Sequence, residues 1–222
     1  MRAALESLLR ARKLDVTLTP CDAPLPPERL APTGDAGLDA ALGGGLRRGH
    51  VSEIVGASSS GRSTLAARLL AAATARGEAT AIVDACDTWD PASAAAEGVA
   101  LERVLWVRPS TSPRVGEQHA VIALRAFSLI LQAGGFGLVV FDLADVPPLA
   151  IRRFPPTTWM RAARLVEGRD TVALLVGAER IARSAGGATL ALDASRANWR
   201  GTAPRARLFA GVDPAPRVVK AR

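Results

Sequence analysis

Two stretches of this chain, GLVVFDLADV over 137–146 and TVALLVGAE over 171–179, are nearly unbroken runs of apolar residues rich in Val and Leu. Such runs suit strands buried on both faces, because a sheet with one wet face alternates apolar with polar residues. HVSEIVG, ATAIVDA and ATLALDAS supply further strands, and RARLFAGV reads as a last one. Between them, STLAARLLAAATARG, a long stretch around 117–133 and PPTTWMRAARLVEG carry helical spacing. Strands alternating with helices predict an α/β fold with a mostly parallel central sheet flanked by helices.

The 222 residues are 49% hydrophobic, enough for one sizeable core with short appendages. Residues 1–32 read as an amphipathic helix followed by a linker: Leu5, Leu8 and Leu9 share one helical face, and Pro20, Pro24, Pro26, Pro27 and Pro32 enforce an extended arm. Leu5, Leu8, Leu9 and Arg12 are the expected partner-binding residues of that helix. Residues 33–211 read as the core and 212–222 as a basic, flexible tail. The charged pair Arg152 and Arg153 is expected in a solvated loop. No apolar run approaches the roughly 18 residues of a membrane span, and MRAALESLLRARKLD is charged where a signal peptide is apolar. A soluble, cytoplasmic protein is expected. Cys21 and Cys86, the sole cysteines, are too few for a disulfide framework or a metal site and are expected to be buried free thiols.

The formal charge of +7 is carried almost entirely by arginine. It suits an acidic partner such as DNA, an acidic protein face or a membrane surface, although a compositional bias toward Ala, Gly, Pro and Arg gives the same charge without one. Arg205, Arg207, Arg217, Lys220 and Arg222 are the candidates for contact with DNA or an acidic partner.

The stretch GASSSGRST, residues 56–64, follows a strand and opens a helix, which is the setting of a phosphate-binding loop. Gly56 and Gly61 permit the tight turn, Ser60 lies within it, and the helix start adds its positive end. Ser63 is placed to reach a magnesium ion, and Thr64 is counted beside it among the nucleotide-site residues. Arg62, however, stands where such loops carry lysine, and a planar guanidinium does not enter the space an ammonium fills between phosphates. Asp142, ending a buried strand, is the matching acidic residue.

The run PTGDAGLDAALGGGLRRGHVSEIVGASSSGRSTL resembles the start of the RecA core, and IVDACDTWDP and AGGATLAL resemble later segments of it, so the likeness covers roughly residues 33 to 195. The resemblance implies a RecA-like core and a nucleotide site, in which Asp90 of the Asp-Pro pair is also placed. It also exposes departures. Where RecA carries the glutamate that activates water, this chain has Cys86, whose thiol is a poor base at neutral pH. Ser93 takes the place of the adenine-stacking tyrosine, and the region of Ala178 takes that of the glutamine sensing the γ-phosphate. LADVPPLAIRRFPP and ERIARSA stand where RecA has longer DNA-binding loops.

A RecA-like chain with an eroded nucleotide site, an N-terminal helix and a proline-rich linker is similar to the ImuA family of mutagenesis accessory proteins. That similarity implies a non-catalytic partner of RecA, of ImuB and of the associated error-prone polymerase in the SOS response, acting near the nucleoid. It implies no required cofactor and at most weak ATP and magnesium binding. An ATP-hydrolysing RecA or RadA paralogue and a SulA-like division inhibitor are the competing readings.

Overall fold

The computed structural model describes residues 25–108, 117–182, 187–193, 195–203 and 205–219. The expected N-terminal helix with Leu5, Leu8, Leu9 and Arg12 lies outside them, as do Cys21, Lys220 and Arg222.

The chain enters through β1 (Leu30–Ala31), which pairs antiparallel with β2 (Leu46–Arg47) around α1 (Ala36–Leu42). Asp35 caps α1 by accepting the Leu38 N–H at 2.9 Å, and Gly43, with φ of 75°, ends it in the left-handed conformation that a side chain disfavours. There follow β3 (Val51–Gly56), α2 (Arg62–Ala75), β4 (Thr80–Asp84), α3 (Pro91–Ala96), β5 (Val104–Val107) and α4 (Glu117–Ala133). The second half comprises β6 (Leu138–Asp142), α5 (Pro148–Arg152), α6 (Pro156–Val166), β7 (Val172–Gly177), β8 (Thr189–Leu192), β9 (Ser195–Arg200), β10 (Leu208–Pro214) and β11 (Arg217–Val219).

Seven strands form one sheet in the order β11-β8-β3-β7-β6-β4-β5, parallel throughout except for the antiparallel edge strand β11. The α/β expectation therefore holds, for the reason the apolar runs announced. Ile54, Ile82, Val140 and Leu174 point to one face, where Leu65, Leu69 and Leu70 of α2 cover them. Val83, Val139, Phe141 and Leu175 point to the other, beneath Phe127 and Leu131 of α4 and Trp159 and Val166 of α6. Every residue of β4, β6, β7 and β8 is buried, so none of these strands needs polar alternation.

Three boundary expectations change. The arm read as a linker to residue 32 ends in β1, whose Leu30 and Ala31 are buried. Of the stretch 212–222, expected to be a flexible tail, residues 212–219 instead complete β10 and contribute β11 to the central sheet, with Val218 packed against the α2-side core. Its two valines are too short a signal to register as a strand, but they close an edge that β8 would otherwise leave open. The Arg152–Arg153 run is not a loop throughout: Arg152 ends α5 and pairs with Glu179 at 3.0 Å.

Candidate functional site

Parallel strands carry their C-terminal ends to one side of the sheet, and there the candidate residues collect. In register, Asp84 lies beside Asp142, Asp142 beside Val176, Val55 beside Gly177 and Gly56 beside Leu192. Crevices outside the carboxyl ends of the strands are where open α/β sheets take ligands.

The loop from β3 to α2 has the form its sequence predicts. Gly61 caps α2 at φ of 90°, and Ser59 also adopts a positive φ of 62°. A Cβ on Gly56 would stand 2.5 Å from Ser60 Oγ and 2.8 Å from the Leu192 carbonyl oxygen, so the glycine is required by close approach. The Ser60 hydroxyl is buried without a hydrogen-bond partner among the described residues. Gly56→Ala should therefore destabilise the fold by about 1–3 kcal/mol, the usual range for overpacking. Adding Ser60→Ala should recover only part of the loss in a thermal melt, because the Leu192 backbone remains in the way.

The Arg62 side chain runs inward. It is buried, and its guanidinium donates to the Ala144 carbonyl oxygen at 3.4 Å beside the Asp142 carboxyl group. The loop's one cation thus faces an internal carboxylate instead of the exposed turn of Ala57, Ser58 and Ser59. Asp142 accepts the Ala144 N–H at 2.9 Å. Burial, reinforced by the charges of Asp84 and Asp145 and opposed by Ala144 and Arg62, pushes its carboxyl up to about 6. Ser63 is exposed in the first turn of α2 and Thr64 is half-buried.

The neighbouring groups are committed elsewhere. Asp84 accepts N–H groups from Cys86 at 3.2 Å, Thr88 at 3.1 Å and Trp89 at 2.8 Å, shaping its own loop. Asp87 pairs with Arg108 at 3.0 Å. The half-buried Cys86 thiol is pushed up to about 11, first by burial and then by Asp145, Asp142 and Asp84, so it stays neutral and cannot act as a base at neutral pH. Asp90 caps α3, accepting from the Ala92 and Ser93 amides at 3.1 Å and from Ser93 Oγ at 2.5 Å. The Ser93 hydroxyl is the first cause holding its carboxyl below the ordinary range. The structure thus joins Arg62 to Ala144, beside Asp142, and brings Gly56 against Ser60, while Asp90 serves its own helix. Trp89, partly buried, meets Trp106 edge to face at 5.2 Å against the core.

Three features of the site were not read from the sequence. Val212 and Pro214 of β10 lie over Gly61, and Asp213 pairs with Arg68 of α2 at 2.9 Å, so a hairpin leans on the phosphate loop. Glu53, buried in β3, accepts the Ile181 N–H at 2.8 Å, the Ala182 N–H and the Thr189 hydroxyl, anchoring the segment that follows β7. Arg152 and Glu179 tie that segment to α5. The acidic residue in VSEIVG was the one available signal: a charge inside a buried strand demands partners. Of the basic candidates, Arg205 and Arg207 are exposed near the hairpin turn, whereas Arg217 pairs with Asp193 at 2.8 Å.

Residues 28–151 match the family model of the RecA N-terminal domain, which spans more than half of the chain. The chain belongs to that family. It is 40% identical over 118 residues to Protein RecA of Kineococcus radiotolerans, covering 53% of this chain and 32% of the relative. It is 43% identical over 121 residues to Protein RecA of Mesorhizobium japonicum, covering 54% and 31%, and 42% identical over 121 residues to that of Methylococcus capsulatus, covering 54% and 33%. The match therefore spans about a third of the length of these RecA proteins. The matched region carries β3, the phosphate loop, Asp84, Cys86, Asp90 and Asp142. Within it the loop keeps its turn and helix start, Arg62 is turned inward and Cys86 is a neutral thiol. Among the described residues, no helix is long and apolar enough to cross a membrane.

Proposed function

We propose that this RecA-family chain is an accessory protein that works by association and not by nucleotide hydrolysis. In the manner of the ImuA family, it binds RecA, ImuB or both in the bacterial SOS response. It thereby supports error-prone translesion synthesis and limits recombination by RecA, acting in the cytoplasm at the nucleoid. The observation that carries the reading is the inward Arg62, held by Ala144 beside a buried Asp142. A loop whose cation answers an internal carboxylate has none to offer a γ-phosphate, and Cys86 supplies no base in its place. The hairpin resting on Gly61 further favours a partner surface over an open nucleotide crevice.

Two measurements test this. Phosphate release with magnesium and ATP should be indistinguishable from background, and Arg62→Lys should leave it so, because the absent base alone withholds about 10²–10⁴ in rate. The tagged full chain should capture RecA or ImuB from purified mixtures, with and without ATP. Sustained magnesium-dependent turnover, or capture of neither protein, would overturn the reading.

A further inference from the structure

The hairpin that leans on the phosphate loop is an unfinished sheet. β9 and β10 form a two-stranded ribbon outside the central sheet, with Trp199 opposite Phe209 in register. β10 is supported by α2, through Val212 and Pro214 at Gly61 and through Asp213 on Arg68. Among the described residues β9 has no strand partner except β10, so its outer edge presents backbone groups that no strand takes up. A two-stranded ribbon is marginal in water, and an open edge is a template for one more strand.

The far end of the ribbon is apolar where a solvent-facing hairpin would be polar. Trp199 and Phe209 meet edge to face at 5.6 Å yet remain 55% and 59% exposed, and Leu208 is 70% exposed. Arg196, Arg200, Arg205 and Arg207 of the same hairpin are all exposed, and none forms an ion pair with a described residue. Asp213, opposite Arg196 in register, is engaged by Arg68 and Arg68 also by Glu97, so the local carboxylates are taken. Aromatic rings and unpaired guanidinium groups are the side chains that dominate binding energy at protein interfaces.

We propose that the outer edge of β9 takes up an extended acidic segment of a partner protein as a third strand, its apolar side chains on the face of Trp199 and Phe209 and its alternate carboxylates on the hairpin's exposed arginines. Main-chain hydrogen bonds supply affinity in such strand addition, and alternate side chains supply specificity. A nucleic acid would use the rings and the charges but has no peptide backbone to answer the strand edge. A second copy of this hairpin would set arginine against arginine. The inference rests on the reading of this chain as a protein that acts by association, and it names the chemistry of what is bound.

The test uses the full chain and three labelled probes: a peptide of about 10 residues alternating glutamate and valine, its lysine–valine counterpart, and an oligothymidine of about 20 nucleotides. The acidic peptide should bind, slow hydrogen exchange along β9 and outcompete the other two. Trp199→Ala with Phe209→Ala, and separately Arg196→Glu with Arg200→Glu, should each weaken it by about tenfold or more. The arginine pair leaves both rings in place, so its loss of binding does not report an unfolded ribbon. Tighter binding of oligothymidine than of the acidic peptide, or binding by the arginine variant equal to that of the unaltered chain, would overturn the proposal. The two ideas also fail separately. If the unaltered chain captures RecA or ImuB and the arginine variant captures as much, strand addition at β9 is wrong and the adaptor reading stands. If it captures neither, the adaptor reading is wrong, and the peptide result still decides the fate of the hairpin.

Discussion

Asp142→Asn is expected to stabilise the protein at neutral pH and to flatten the dependence of its stability on pH. The Asp142 carboxyl is pushed from its ordinary 3.8 up to about 6, burial being the largest cause. As pH rises from about 4 to about 6, the unfolded chain releases this proton while the folded one retains it, so the unfolded state gains and stability falls. Below that window the group contributes no penalty; above it the penalty is complete, on the order of 2–3 kcal/mol. Asparagine keeps an oxygen to accept the Ala144 N–H and has no charge to bury. Urea unfolding between about pH 4 and pH 7 checks this: the variant should show the smaller fall in stability across the window. Equal slopes in the two proteins would refute the account.

Phe127→Ala is expected to have the largest effect on stability. Phe127 on α4 stacks on Phe141 of β6 with ring centroids 4.8 Å apart, and both rings are fully buried. Truncating such a ring typically costs about 3–5 kcal/mol, through lost burial and the cavity left behind. Against a total of about 5–15 kcal/mol for a domain, that is a large fraction. The midpoint Tm should fall by on the order of 10 °C, read by circular dichroism. Phe141 is the residue before Asp142, so the same contact steadies the strand end that carries the site. Phe127→Leu, which keeps much of the volume, should lose less than half as much; equal losses in the two variants would show that the ring packing is not the cause.

The parallel sheet was legible because its strands are buried on both faces, which writes an unbroken apolar run into each of them. The phosphate loop was legible because close backbone approach at Gly56 and a left-handed cap at Gly61 admit little but glycine. What Arg62 does was not legible. The identity of the residue announces a departure, but only its neighbour across the sheet, the turn at Ala144, tells where the guanidinium goes. Asp90 could be placed in the right segment, yet its role as a helix cap depends on the turn of α3 that follows it.

The C-terminal stretch shows the same division more sharply. Arg-Val-Val between two prolines and a basic end has too little pattern to be read as structure, yet it becomes a sheet edge because β8 lies within hydrogen-bonding reach. From its residues alone this chain specified an α/β core, a glycine-shaped loop between β3 and α2, and an arginine where such loops carry lysine. Tertiary structure alone decided that the arginine turns inward, that a carboxylate pair is buried across β4 and β6, and that a basic, aromatic hairpin comes to rest over the loop. Local patterns follow from the period and burial of one element, whereas these contacts join residues about 60 to 150 positions apart, for which no local periodicity exists.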